Sequence, residues 1–264
     1  MYFNDLKPYI LLGLVAWFIF EEVQEIELKE TFADETTEKK VTKKADGTEI
    51  KIPEENAWNN DFKKRFESHE ALENLKMASL LSTFDQNSVI IDSGAHIGDT
   101  GLYLALKARE MGRNDIKVIM IEPDKSKLEY INLLADINGL TNIVTLNYGL
   151  GMLHSKGSLD RSDKNEGAWK VKAGVSEGDF DIERLDTLIT RRYQKIGLMH
   201  IDVEGMEHQV LLGADRLLNS TKYIMIELNH LADRGREREL LEKHMFQKIE
   251  TSGHSNGNEL YQRL

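Results

Sequence analysis

From Ser88 onward, short apolar runs alternate with stretches in which apolar positions recur every three or four residues. The run SVIID at 88–92 has the continuous, β-branched pattern of a buried strand, and after it Ile97, Gly101, Leu104, Ala105 and Ala108 fall on one face of a helix. KVIMIEP at 117–123 predicts a second strand, followed by a helix that turns Leu128, Ile131 and Ala135 inward and stops at Gly139. NIVTLNYG at 142–149 reads as a third strand. IGLMHID at 196–202 reads as a fourth, with a helix of Met206, Val210, Ala214 and Leu217 behind it, and YIMIELN at 223–229 as a fifth. MFQKIET and ELYQRL, separated by a turn at NGN, predict a closing antiparallel hairpin. Strands separated by helices of this length pair in parallel through right-handed crossovers. The expected fold is therefore α/β, a doubly wound, mostly parallel sheet with a C-terminal antiparallel hairpin and ligands at the carboxyl ends of its strands.

Upstream the pattern changes twice. Phe62, Phe66, Leu72, Leu75, Ala78 and Leu81 lie at near-helical spacing and predict one or two amphipathic helices leading into the sheet. The charged stretch EKKVTKKADGTEIKIP reads either as a hairpin turned at Asp46-Gly47 or as a solvated linker. Residues 9–20, YILLGLVAWFIF, are uninterruptedly apolar; as a helix they would extend roughly 18 Å, short of the roughly 30 Å hydrocarbon core. A short membrane anchor and a buried or interfacial helix both fit, and no small-residue cleavage site follows the run. The chain thus divides into a hydrophobic segment at 1–24, a charged linker or hairpin at 25–57 and a catalytic domain at 58–264. Its location is either at a membrane, through the first segment, or cytoplasmic.

Composition narrows the function. A formal net charge of −11 over 264 residues argues against a surface that tracks nucleic acid. The absence of cysteine removes disulfides, thiolate metal sites and cysteine nucleophiles.

The chemistry centres on the turn after the first strand, Asp92-Ser93-Gly94-Ala95-His96-Ile97-Gly98-Asp99. Small residues there let backbone approach a ligand, and a helix N-terminus opens onto it. Glycines at 94, 98 and 101 depart from the G-x-G-x-x-G of dinucleotide folds and count against a nicotinamide cofactor. Glu122 ends the second strand, where a carboxylate accepts both hydroxyls of a ribose. His96 either caps the helix or lines the pocket.

DSGAHIGDTG, IEPDKSKLEYINLLADINGLTNI, LDTLI at 185–189, HIDVEGMEHQVLLGADRLL and IMIELN together resemble the FkbM family of methyltransferases over roughly residues 85–230. The resemblance implies a class I methyltransferase fold, S-adenosylmethionine as methyl donor, and O-methylation of a sugar, glycan or other small-molecule hydroxyl. It implies that Asp92, Gly94, Ala95 and Gly98 surround the methionine part, that Glu122 holds the ribose, and that Asn147, Tyr148 and Gly149 lie near adenine; Ser93 and His96, in the same turn, are further cofactor-site candidates. His200 stands where many relatives have lysine before I-D-V-E-G, so no lysine role carries over.

An in-line methyl transfer needs a positioned acceptor and a base for its proton, and Asp202, Glu204 and Glu227, at the ends of the fourth and fifth strands, are the candidates. His200, Asp202 and Glu204 would also share one face if the strand continued, the start of a magnesium or manganese site. Glu204, Glu207 and His208 read equally as residues of a helix start, and a divalent metal is the less favoured reading. Residues 153–180, rich in Gly, Ser and Asp and without a strong period, predict a loop over the pocket in which Trp169 either stacks on a sugar or packs. ADRGRERELLEK reads as a solvated helix face. Two alternatives stand beside the favoured function: a methyltransferase acting on a protein or lipid, and a non-catalytic module that binds S-adenosylmethionine.

Overall fold

The computed structural model describes residues 39–68, 71–163, 169–189, 193–228, 235–249 and 257–264. Residues 9–20 lie outside these, and among the described residues no helix is long and apolar enough to cross a membrane.

Seven strands form the central sheet. In chain order they are β3 (Val89–Ser93), β4 (Lys117–Ile121), β5 (Ile143–Leu146), β10 (Ile196–Ile201), β11 (Thr221–Glu227), β12 (Phe246–Lys248) and β13 (Asn258–Arg263), and their order across the sheet is β12-β13-β11-β10-β3-β4-β5. The five strands from β11 to β5 pair in parallel, whereas β13 runs antiparallel to both β11 and β12. The C-terminal hairpin is therefore present, with its second strand inserted beside β11 and its first left at the edge.

Alternate residues of each buried strand feed opposite layers. Ile90, Val118, Leu198 and Met225 join one core, and Ile91, Ile119, Met199 and Ile224 join the other. Burial on both faces explains the nearly continuous apolar runs. Helices α3 (Asp99–Glu110) and α4 (Lys125–Ile137) pack into the first layer, and α6 (Glu207–Gly213) and α7 (Asp215–Leu218) into the second.

The N-terminal part adds to the first layer. Strands β1 (Lys39–Lys43) and β2 (Glu49–Pro53) form a hairpin whose Ile50 and Ile52 are buried, with Gly47 at φ +92° in its turn. Two helices follow, α1 (Asn59–Ser68) and α2 (Ala71–Leu80). On α1 Phe62 and Phe66 are buried as expected; on α2 the inward face carries Glu73, Asn74, Met77 and Ala78, and Leu72 and Leu75 are exposed. Two helices are present, as one of the two expectations had it, but the apolar spacing does not run through both: α2 turns Leu72 and Leu75 outward.

A second difference lies between β5 and β10. The stretch expected as a third strand through Gly149 splits into β5 and β6 (Gly149–Leu150). The stretch expected as a loop over the pocket contains β7 (Ser155–Asp160), β8 (Lys170–Ala173) and β9 (Phe180–Glu183), which with β6 form a separate sheet ordered β6-β9-β7-β8. Along β7 only Gly157 is buried, so backbone pairing rather than an apolar face makes it a strand. Helix α5 (Leu185–Leu188) leads back towards β10, and α8 (Gly235–Lys243) precedes the final hairpin.

Candidate functional site

The chain order across the sheet reverses at β3, with β4 and β5 on one side and β10 and β11 on the other. Loops leaving β3 and β10 diverge at this switch point and open a crevice at the carboxyl edge.

The loop after β3 is pinned from both sides. Gly94 and Ala95 N–H both donate to the Ile121 carbonyl at 3.0 Å, and Asp202 N–H donates to the Ser93 carbonyl at 3.1 Å. Gly94 has φ +81°, and a Cβ there would run into the Asp202 carbonyl oxygen, so both conformation and space require glycine. Gly98, at φ +85°, occupies the N-cap of α3. Two non-glycine residues with left-handed backbone, His96 (φ +49°) and Glu204 (φ +51°), line the same cleft. Such conformations carry strain and gather at ligand sites.

The cleft has a volume of about 650 Å³ including the space open to solvent. The lining includes Glu122 with the adjoining Pro123, Lys127 beside it and Trp169 against Lys127, and Tyr148, Leu150, Leu159 and Val171 add apolar surface. Arg65, Gly94, Asp202, Val203 and Glu204 line it too, with Asp202 against Gly94, coupled by charge to Arg65 and within 4.8 Å of Glu204.

Glu122 is buried, and its two carboxylate oxygens accept from His96 N–H and Asp124 N–H, each at 3.0 Å. Burial pushes its pKa up to about 7 against the opposing pull of Lys127 and those two N–H groups. A carboxylate offers about four lone-pair sites, so two remain for hydroxyl donors. The Lys127 ammonium lies 5.8 Å from the Trp58 ring centre and 5.1 Å from that of Trp169, which ties α4, the entry to α1 and β8 around Glu122.

Of the residues singled out by sequence, Gly94, His96, Glu122, Tyr148, Gly149, Asp202 and Glu204 line the cleft. Asp92 does not: it is buried beneath the loop, where its Oδ1 lies 2.7 Å from His200 Nδ1, its register partner on β10. Ser93 and Ala95 are also buried, and Asn147 donates its side-chain amide to the carbonyls of Glu122 and Pro123, bracing the end of β5 against that of β4.

His200 is thereby removed from the acidic group at the strand ends. Strand β10 stops at Ile201, and the three carboxylates whose oxygens come within 4.8 Å of one another are Asp202, Glu204 and Glu227. The expected His200–Asp202–Glu204 face is replaced by one in which Glu227 takes the histidine's place. Glu207 folds back to accept from Gly205 N–H at 3.0 Å, and His208 lies 3.2 Å from Glu237.

Arg65, Lys127 and the second-sheet residues Leu159 and Val171 escaped the sequence reading. Arg65 carried a faint signal, a cation at the border of the apolar stripe formed by Phe62 and Phe66.

Residues 92–260 match the family described as the Methyltransferase FkbM domain. Among solved structures, an FkbM methyltransferase from Methylobacillus flagellatus aligns at 16% identity over 78% of this chain and 61% of its own, with a TM-score of 0.45. An rRNA methylase from Streptococcus thermophilus aligns at 14% identity over 72% and 95%, with a TM-score of 0.42. A Streptococcus mutans protein in complex with SAH aligns at 10% identity over 72% and 94%, with a TM-score of 0.43. This chain spans less than two thirds of the Methylobacillus protein. None of the curated proteins compared with it matches. The family match covers well over half of the sequence and takes in both sides of the switch point, and the chain belongs to the FkbM methyltransferase family, with the α/β fold of S-adenosylmethionine-dependent methyltransferases.

Proposed function

We propose that this methyltransferase transfers the methyl group of S-adenosylmethionine to a hydroxyl of a sugar, glycan or other small molecule. The observation that carries the reading is the joining of two features in one cleft: a buried ribose-type acceptor, Glu122, and the carboxylates Asp202 and Glu204 that follow β10, with Glu227 of β11 within 4.8 Å of them. The residues fit the cofactor. Glu122 has acceptor capacity left for two hydroxyls, Tyr148 and Leu150 offer an apolar wall for a purine, and Gly94 leaves bare backbone for the methionine part.

S-adenosylmethionine supplies a sulfonium-bound methyl group that an oxygen nucleophile attacks in line. We assign Asp202 as the base: a carboxylate oxygen takes the hydroxyl proton as the new C–O bond forms. Carboxylate oxygens of Glu204 and Glu227 lie within 4.8 Å of one of Asp202. Leu159, Val171 and Trp169 border the site and are assigned to acceptor selection. The net charge of −11 favours an uncharged acceptor over a polyanionic one.

A calorimetric titration with S-adenosylhomocysteine tests the cofactor reading and Glu122 together. Because burial raises Glu122 to about 7, its carboxyl is mainly protonated at pH 6 and mainly ionised at pH 8. If the ionised form is the one that accepts both hydroxyls, affinity rises by about tenfold between those values and then levels off. Glu122→Gln flattens the profile; no binding at any pH sinks the cofactor assignment. The same shift acts on the unliganded fold. Below the ordinary value of 4.5 both folded and unfolded chains hold the proton. As pH rises from there to about 7 the unfolded chain loses it first, so stability falls over that window and is constant above it.

The carboxylate trio also favours a second reading, in which a divalent cation holds the acceptor oxygen. Transfer of labelled methyl to a panel of glycans, lipids and proteins, with and without EDTA, separates the two. With Asp202 as base, turnover survives chelation. Loss on chelation and recovery with magnesium or manganese would replace the base mechanism by the metal one, and label confined to protein lysine or arginine would overturn O-methylation.

A further inference from the structure

Arg65 is a cation brought into the cleft by α1, outside the segment that matches the family. Its side chain is only 17% exposed, and among the described residues its one side-chain hydrogen bond runs from Nε to Asp99 Oδ1 at 3.3 Å. Among the described residues the two terminal nitrogens of the guanidinium make none. Desolvation opposes its charge, yet Asp99, Asp61 and Asp202 together hold its pKa above the ordinary value. A guanidinium with a fixed stem and an open fork is built for a planar anion.

The nature of that anion follows from the neighbours. Lys127, the other cation lining the cleft, is engaged near Glu122 with Trp58 and Trp169. Arg65 instead is coupled by charge to Asp202, which packs against Gly94 and lies within 4.8 Å of Glu204, so that bare backbone and an acid leave room for an α-amino acid. A zwitterionic amino acid needs an acid for its ammonium, which Glu204 supplies here while Asp202 faces the acceptor, and one cation for its carboxylate.

We infer that Arg65 binds the α-carboxylate of the donor's methionine part through its terminal nitrogens, so that the helix before the family segment completes the cofactor site. The inference rests on the cofactor reading above and is tested so that the two can fail separately. Three probes are titrated: S-adenosylhomocysteine, its decarboxylated analogue S-adenosyl-3-thiopropylamine, and 5′-methylthioadenosine. Wild type prefers S-adenosylhomocysteine over the decarboxylated analogue. In Arg65→Gln the affinity for S-adenosylhomocysteine falls by roughly 10- to 100-fold, that for the two probes without a carboxylate is unchanged, and the preference disappears. Arg65→Lys, with charge but no fork, recovers part of it. Unaltered methylthioadenosine binding shows that the variant is folded. If the wild-type preference persists in Arg65→Gln, the Arg65 inference falls while the cofactor reading stands; if wild type binds none of the probes, both fall.

Discussion

Replacing Asp202 by Asn lowers turnover by about 10²- to 10⁴-fold, the usual contribution of a positioned base, while S-adenosylhomocysteine affinity changes little. Asn has nearly the same shape as Asp, and the backbone bond from residue 202 to the Ser93 carbonyl, which holds the end of β10 against the glycine loop, is retained. What is lost is a side chain able to take a proton. Steady-state rates and a calorimetric titration on the same preparation check the split. Equal losses in turnover and affinity would mark Asp202 as a structural or cofactor-binding residue. Unchanged turnover, with the loss appearing instead in Glu227→Gln, would move the base to β11.

Gly94→Ala is expected to cost more in structure than any other single-methyl change in the cleft. An L-residue at φ +81° costs about 1–2 kcal/mol, and forcing a methyl group against packed backbone adds about 1–3 kcal/mol. The loop cannot yield easily, because the Ile121 and Ser93 carbonyls tie it to β4 and β10. Urea unfolding should therefore show a loss of roughly 2–5 kcal/mol, and S-adenosylhomocysteine binding should be abolished or nearly so. Gly112→Ala is the matched control: its φ is +70°, but a Cβ there meets nothing within 4 Å, so only the conformational cost applies. Equal destabilisation by the two substitutions would show that the contact with Asp202 is unimportant.

The strand cores were legible because both their faces are buried, which writes an apolar run into the sequence without need of context. Val89–Ser93, Lys117–Ile121 and Ile196–Ile201 fall within a residue or two of the runs that announced them. Glu122 was legible because a strand end is a definite place in a doubly wound sheet, and an acid there faces the crevice. The second sheet was not. β8 exposes most of its side chains and β7 leaves most of its side chains half-buried, so their strand character lies in backbone pairing between Gly157–Asp160 and Lys170–Ala173, which leaves little trace in hydrophobicity. Nor could Asp92 be separated from the cofactor-lining residues. Its burial depends on the chance that its register partner across β10 is His200.

The local pattern of residues was therefore enough to specify an α/β sheet, the glycine loop at its switch point and carboxylates at its strand ends, since each depends on spacing along a few turns or strands. Which carboxylates meet, and which cation joins them, depended on contacts between segments far apart in the chain. Glu227 reaches Asp202 because β11 lies beside β10, and Arg65 reaches the cleft because the packing of Phe62 and Phe66 in the first core layer fixes α1 with Arg65 at its border. Those meetings are products of packing and register, quantities that no window of sequence contains.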